Sequence, residues 1–436
     1  SNRYKEHYLT EKQGKFWEAK WTTDTGFEFN IMCLRPDQRV LMANGIEREI
    51  KELKVGDKIK CSQGDTEIRK IYQSKTDSFY KIRTTEGNEL VCSGKHKILS
   101  KRGWVRASTL RIGEEVLSDS PKIQATEKIE IWQAFMLGVL LGDGYIKRME
   151  VLWTCFSAKL VQYARDILPP SLQVKQVKNV EGRFAISMTQ GVKNNPLKKW
   201  LRDIGIWGKG SWDKFIPGII FKCSDETIKE VLRGLFSTDG TADIKRPMVS
   251  YSSRSERLCQ DIKKLLRRIG IKAKVYGYYR ECVFDGYNCS GMVYTCTTSD
   301  KDSIKLFREE VGFIGKSFDF NNVKISRNGG RKNRVSKIEI IEGGECLDLE
   351  VKNNAHDYIV DGLIVHNSNE QDTKEFESAD LGFCWFDEPM PKSIYMATVA
   401  RTRTGGIIFA TLTPLEYSAW IEEDLYAKRD GINVEY

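Results

Sequence analysis

The chain of 436 residues has no apolar run of the roughly 18 residues that a membrane helix requires, and its polar opening, Ser1 to Lys5, lacks the pattern of a signal peptide. Both absences point away from a membrane partner and lead to the expectation of a cytoplasmic protein. The eleven cysteines are odd in number and form no CxxC pair, which argues against a zinc site and predicts reduced thiols rather than a disulfide frame. Histidine is scarce, with four in the whole chain. The GxxxxGK[ST] phosphate loop is missing as well, so the chain as it stands cannot be a working nucleotide-driven motor.

What is present is unevenly distributed. At 40% hydrophobic content the chain can bury two or three cores, so a multidomain protein is expected. Residues 1–32 hold five basic and five acidic side chains, and residues 368–436 hold six basic and thirteen acidic ones. The flanks therefore sum to −7, which leaves +16 of the net +9 for residues 33–367, a local excess suited to a polyanion such as DNA. On charge alone, a solvated basic surface explains it equally well.

The patterning changes twice along the chain. From Arg39 to Leu117 it reads as short strands, with RVLM and IEREI flanking the hairpin signal Asn44-Gly45. From Ile131 it turns helical, as in ETIKEVLRGLF, where Ile228, Val231, Leu232, Leu235 and Phe236 share one face. Strand patterning resumes at RVSKIEII and runs to Val365, so an all-β module is split by an α/β insert, with residues 328–333 as a linker. The insert repeats itself loosely. DIGIWGKGSWD at 203–213 matches EVGFIGKSFDF at 310–320, and ARDILPPSLQVKQV at 164–177 matches LLRRIGIKAKVY at 265–276, which predicts two pseudo-symmetric subdomains.

The ends of the split module carry chemistry. Cys33 opens it and His366-Asn367-Ser368 closes it. A thiol can attack the carbonyl of Met32 and convert that peptide bond to a thioester. An asparagine carboxamide can attack its own backbone carbonyl and cut the chain as a succinimide forms, and the Ser368 hydroxyl can accept the acyl group in between. Three of the four histidines, His96, His356 and His366, fall in this module, where general acid–base work is needed. In YIV-DG-LIV the turn Asp361-Gly362 pairs Val360 with Leu363, which sets Asp357 opposite His366 and His356 opposite Asn367.

At Cys33, Ser93-Gly-Lys-His96, CLDLEVKNNAHDYIVDGLIVHN at 346–367 and Ser368 the chain resembles the intein family. The resemblance implies the horseshoe-shaped β fold (Hint domain) shared with hedgehog autoprocessing domains, and splicing without a cofactor. It assigns the acyl shift to Cys33, assistance at the scissile amide to His96, transesterification to Ser368, and cyclisation to Asn367 aided by His366 and His356. Asp348 matches an aspartate that coordinates the steps. The family usually has threonine three residues before the first histidine; Ser93 retains the hydroxyl.

Within the insert, FMLGVLLGDGY at 135–145 and LRGLFSTDGTA at 232–242 each run an apolar helix into an aspartate and a glycine. Gly138 and Gly142, one turn apart, would let a partner helix approach closely and set Asp143 beside Asp239. Paired carboxylates can hold Mg²⁺ for phosphodiester cleavage. Residues 126–330 resemble the LAGLIDADG homing endonucleases. That resemblance implies Asp143 and Asp239 as metal ligands, backbone carbonyls of Gly142 and Thr238 beside them, Lys214 near the active site, and a monomer that reads a long asymmetric site on double-stranded DNA.

Joined directly, the flanks contain LGFCWFDEP, a strand ending in Asp387 and Glu388 in the Walker B arrangement, followed by IIFATLTPL with Thr411 and Thr413. This pair resembles the ATPase domain of phage terminase large subunits, an α/β P-loop fold. The expected order is a host fragment at 1–32, splicing module at 33–125, endonuclease at 126–330, splicing module at 331–367 and host fragment at 368–436, in a phage- or prophage-encoded protein. Three alternatives compete with this reading: a splicing-competent element whose insert only binds DNA, a host ATPase fragment with an inert insertion, and a hedgehog-like domain that would not need His366-Asn367-Ser368.

Overall fold

A computed structural model describes residues 32–147, 150–189, 195–243, 247–284, 287–288, 290–316, 332–352, 356–367, 383–387, 395–396, 398–399 and 407–411. The chain divides into two compact units, residues 1–367 and residues 368–436. Residues 1–31, most of the 328–333 linker, Ser368, Glu388 and Thr413 lie outside the described residues. Among the described residues, no helix is long and apolar enough to cross a membrane.

The β module begins with β1 (Arg39–Leu41), β2 (Glu47–Glu49), β3 (Lys58–Cys61), β4 (Gly64–Thr84), β5 (Glu89–Ser93), β6 (Lys97–Ser100) and β7 (Gly103–Arg106). The central segment contains α1 (Ile131–Asp143), β8 (Gly144–Lys147), β9 (Glu150–Thr154), α2 (Ala158–Ile167), β10 (Leu172–Gln176), β11 (Arg183–Met188), α3 (Pro196–Asp203) and α4 (Gly218–Phe221). It continues with α5 (Asp225–Thr238), β12 (Gly240–Asp243), β13 (Met248–Ser253), α6 (Glu256–Arg268), β14 (Lys274–Arg280), β15 (Val283–Phe284), β16 (Tyr287–Asn288), β17 (Gly291–Thr298) and α7 (Lys301–Glu310). The module then resumes with β18 (Val335–Val351), β19 (Asp357–Val360) and β20 (Leu363–His366).

Sheet order shows that the two sequence pieces of the β module are one fold. In the sheet β2-β1-β19-β20-β6-β7, the late strands β19 and β20 lie between the early strands β1 and β6. The long β18 runs antiparallel to β4 from Val335↔Thr84 to Val351↔Ile68, with register shifts after Val335 and Glu350. The ribbon needs a residue without a side chain at Gly343, where an added Cβ would come within 1.9 Å of the Thr76 carbonyl. Leu34, Val40, Ile82, Leu90, Ile98, Tyr358 and Val365 pack into one core drawn from both pieces.

The insert has a second core, and its two halves share a topology. The first half runs α1, β8, β9, α2, β10, β11, α3 with sheet order β8-β9-β11-β10. The second runs α5, β12, β13, α6, β14, β17, α7 with order β12-β13-β17-β14. Both sequence repeats fall on corresponding places: 164–177 and 265–276 span α2–β10 and α6–β14, while 203–213 and 310–320 follow α3 and α7. The halves meet through α1 and α5. An added Cβ at Gly138 would approach the Val231 carbonyl to 2.1 Å, and one at Gly234 would approach the Phe135 carbonyl to 2.3 Å, so each helix presents a glycine where the backbones cross.

The insert also grips the β module. Buried Glu47 of β2 accepts from Arg267 at 2.8 Å and Lys264 at 2.9 Å, both on α6, and Arg267 reaches Asp361 at 3.4 Å. Removing either cation would leave the Glu47 carboxylate, whose side chain is 5% exposed, short of a partner, which is destabilising. In the second unit, β21 (Phe383–Asp387) and β22 (Ile407–Thr411) pair in parallel from Phe383↔Ile407 to Asp387↔Thr411.

Candidate functional site: the two junctions and the carboxylate pair

Cys33 is held between two strands. Its neighbour Leu34 exchanges backbone hydrogen bonds with Leu347 of β18 at 2.8 and 2.9 Å, and Arg35 N–H donates to the Val91 carbonyl at 3.0 Å. The Cys33 N–H donates to Ser93 Oγ at 3.1 Å, and the Cys33 carbonyl accepts from Ser93 N–H at 2.8 Å. Ser93 therefore fixes the amide that joins Met32 to Cys33, a task for which any hydroxyl suffices.

His96 is fully buried, and neither ring nitrogen has a hydrogen-bond partner among the described residues. Burial pushes its pKa down to about 3, the nearby His366 adds to the shift, and a backbone group of Met32 opposes it. At neutral pH the ring is thus an uncharged imidazole near Met32.

The downstream junction is carried by the β19–β20 hairpin. Asp361 and Gly362 both take positive φ, 44° and 79°, which is the type I′ geometry of a two-residue turn. The register pairs Val360 with Leu363 and Asp357 with His366, and the Asn367 N–H donates to the His356 carbonyl at 2.8 Å. The Asp357 carboxylate accepts from Ser62 N–H at 2.8 Å and Ser62 Oγ at 2.5 Å, which ties the hairpin to the end of β3. Asn367 is fully buried, and its carboxamide has no hydrogen-bond partner among the described residues. Its backbone carbonyl oxygen meets His366 Nδ1. Trp104 holds the His366 ring edge-on with centroids 4.8 Å apart, and His356 stacks on it at 6.4 Å. His356 itself sits at φ 52°, an uncommon conformation for a residue with a side chain.

Asp348 links the two junctions. It is fully buried, lies one residue from the Leu347 that pairs with Leu34, and accepts from Tyr358 Oη and from Leu349 N–H at 2.7 Å each. Tyr358 belongs to β19, so a carboxylate on the strand that pairs with Leu34 is tied to the hairpin that carries Asn367.

One expectation is overturned. Cys33 is not a reduced thiol but is disulfide-bonded to Cys346, with Cα atoms 5.4 Å apart. The antiparallel bridge Leu34↔Leu347 makes the two cysteines diagonal neighbours on one face, within bridging distance. The pair is 313 residues apart in sequence, so spacing rules could not find it.

In the insert, α1 and α5 deliver Asp143 and Asp239 side by side, with their carboxyl groups within hydrogen-bond reach. Desolvation and the Asp143 charge push Asp239 up to about 6, and Asp143 is raised mainly by desolvation. Lys214 Nζ donates to the Gly142 and Gly144 carbonyls at 2.6 and 3.2 Å, flanking Asp143. Lys316 does the same for Asp239, reaching the Gly240 carbonyl at 2.6 Å and also the Thr238 carbonyl. Burial lowers the pKa of both, Lys214 to about 8.

Lys316 is a site residue that sequence reasoning missed. The repeat aligns it with Lys209, whereas by role its counterpart is Lys214. Two adjacent carboxyl groups, both raised by desolvation, suit a hard cation, and the Gly142 and Thr238 carbonyls each keep a lone pair after accepting a lysine. In the second unit, the register brings Asp387 and Thr411 to the same rung at the C-terminal ends of a parallel pair.

Residues 226–312 match the family model described as a LAGLIDADG-like domain. Over 308 residues the chain is 26% identical to the replicative DNA helicase DnaB of Rhodothermus marinus, covering 65% of this chain and 32% of that protein. Over 258 residues it is 25% identical to the RecA protein of Mycobacterium tuberculosis, covering 54% and 32%. The chain thus spans about a third of the length of these relatives. Among solved structures it is similar to the Ssp DnaB mini-intein variant M86, at 9% identity and a TM-score of 0.29, over 78% of this chain and 97% of that one. The LAGLIDADG-like domain, together with the junction geometry, marks the chain as an enzyme.

Proposed function

We propose that the chain is a splicing precursor, in which residues 33–367 excise themselves and join residues 1–32 to residues 368–436. The observation that carries this reading is the convergence at the two ends of one β fold: a scissile amide gripped by Ser93 beside an uncharged, buried His96, and a buried Asn367 whose carbonyl meets His366. In this reading Cys33 Sγ bonds to the Met32 carbonyl carbon as the C–N bond breaks, with His96 supplying the proton to nitrogen. Ser368 Oγ then displaces the thiol. Asn367 Nδ2 attacks its own carbonyl carbon, releasing the Ser368 amine, which takes the acyl group from its own hydroxyl to form a peptide bond. The similarity to DnaB supports the reading in one respect: it covers 65% of the chain, more than the 101 residues of the two flanks can hold.

The division at 33–125, 126–330 and 331–367 belongs to the same proposal, with the middle part a homing endonuclease that cleaves double-stranded DNA at a long asymmetric site. Asp143 and Asp239 would hold Mg²⁺ with the carbonyls of Gly142 and Thr238; when bound, the ion supplies charge neutralisation and polarises the phosphodiester and its attacking water. Lys214 and Lys316 hold the backbone on either side of each carboxylate. The parallel strands ending at Asp387 and Thr411 support an ATPase fragment as host, and the Asp387-Glu388 sequence favours a terminase. Expression of the intact chain tests the splicing claim: the expected products are a ligated chain of 101 residues and a free element of 335. For the insert, Mg²⁺ and DNA spanning the uninterrupted host gene should give a double-strand break near the insertion codons.

A further inference from the structure

The disulfide occupies the atom that splicing would need first. Cys33 Sγ is bonded to Cys346 Sγ, both residues are buried, and both sit in a small cluster with Phe79 and Val91 that is separate from the main core of the module. Among the described residues, the other groups assigned to the upstream junction are in place. Ser93 grips the amide, His96 is buried and uncharged beside it, and Asp348 is anchored on Tyr358. The oxidised sulfur is thus the one group in the assembled junction that cannot perform its step.

We propose that the Cys33–Cys346 disulfide is a redox gate that holds the precursor unspliced until a dithiol reductant opens it. The gate rests on the reading of Cys33 as the nucleophile of the acyl shift. One thiolate of the reductant attacks Cys346 Sγ, the S–S bond breaks, and the electron pair leaves with Cys33 as a thiolate. The second thiol of the reductant then attacks the mixed disulfide, releasing Cys346 as a thiol and leaving the reductant as a cyclic disulfide, a two-electron exchange that balances. Reduction therefore delivers Cys33 in the ionised form that attacks the Met32 carbonyl. Because both sulfurs are buried, the reductant gains access only when the strands around Leu34 and Leu347 open, so a local fluctuation sets the pace of release.

The location explains why this pairing can switch a reaction without dismantling the fold. It ties the start of the module to β18 beside backbone hydrogen bonds, Leu34 to Leu347 and Arg35 to Val91, that do not depend on the sulfurs and can re-form once the strands close. Among the described residues, Cys61, Cys92, Cys155, Cys223, Cys259, Cys282, Cys296 and Cys384 are free, so the bond joins the junction cysteine selectively.

The test uses the full 436-residue chain produced in an oxidising compartment and purified without thiols. One preparation is divided into an untreated arm, a dithiothreitol arm and an arm with a thiol-free phosphine, which reduces disulfides without cleaving thioesters. Peptide mapping should find Cys33 joined to Cys346 only in the untreated arm, and ligated product should accumulate there at least about tenfold more slowly than in both reduced arms. Cys346→Ser should splice at the reduced rate in all three arms. If that variant fails to fold, the wild-type comparison with phosphine decides alone. Equal splicing in the untreated and reduced arms overturns the gate, while loss of splicing in Cys33→Ala would still uphold the nucleophile. Ligation that persists in Cys33→Ala overturns the underlying reading itself, and with it the gate.

Discussion

The splicing module and its insert solve opposite problems with polar groups at close quarters. In the proposed splicing reaction the substrate is the chain's own backbone, so no cleft is needed, and the residues assigned to it are sealed in: His96, Asp348 and Asn367 are each 0% exposed. The proposed DNA substrate of the insert would arrive from outside, and the carboxylate pair stands at the ends of two helices with Asp143 at the surface. Burial thus lowers the pKa of the His96 ring and keeps it neutral, whereas at the carboxylate pair desolvation raises both acids and the Asp143 charge adds to the rise at Asp239. A self-acting site can be dry because it never exchanges its substrate.

The sharpest way to break this comparison is to remove one site and watch the other. Cys33→Ala combined with Asn367→Ala should abolish both junction cleavages on a gel while leaving Mg²⁺-dependent DNA cleavage intact; loss of DNA cleavage would mean that the sites are not independent. Asp143→Asn should reduce DNA cleavage by more than about a hundredfold with unchanged splicing, measured as initial rates on a linear duplex. Lys316→Met should lower DNA cleavage by about 10- to 100-fold, as should Lys214→Met, if both hold the carbonyls beside an aspartate. An effect confined to Lys214 would remove Lys316 from the site.

A smaller effect probes the dry site. The folded pKa of His96, about 3, lies below its ordinary value of 6.5, so the unfolded chain binds the proton more tightly. Its contribution to stability is complete above pH 6.5 and is lost as the pH falls from 6.5 toward 3. In a splicing-inactive Asn367→Ala background, the urea midpoint should drop between pH 7 and pH 5. His96→Gln should flatten that drop, and an unchanged slope would show that the ring is not excluded from protonation.

What was readable in the sequence was local. Asp361-Gly362 announces a type I′ turn, and counting outward from it reaches the observed pairing of Asp357 with His366. Gly138 likewise signals the helix crossing, because only a glycine admits another backbone so closely. What escaped was tertiary. Cys346 meets Cys33 across 313 residues through a strand pairing that no spacing encodes. Lys316 was hidden because the repeats align on Gly-Lys, whereas the lysine that matches it by role stands five residues after Lys209. The clasp of Glu47 by Lys264 and Arg267 joins a strand of the module to a helix of the insert, and nothing in either segment alone calls for it.

The central claim is that residues 33–367 remove themselves and restore one peptide bond between the flanks. Intact mass and fragment sequencing of the reduced chain test it directly. The account predicts a 101-residue product in which Met32 is bonded to Ser368, together with a free element of 335 residues ending at Asn367. A reduced chain that stays at 436 residues with both junctions intact would contradict it.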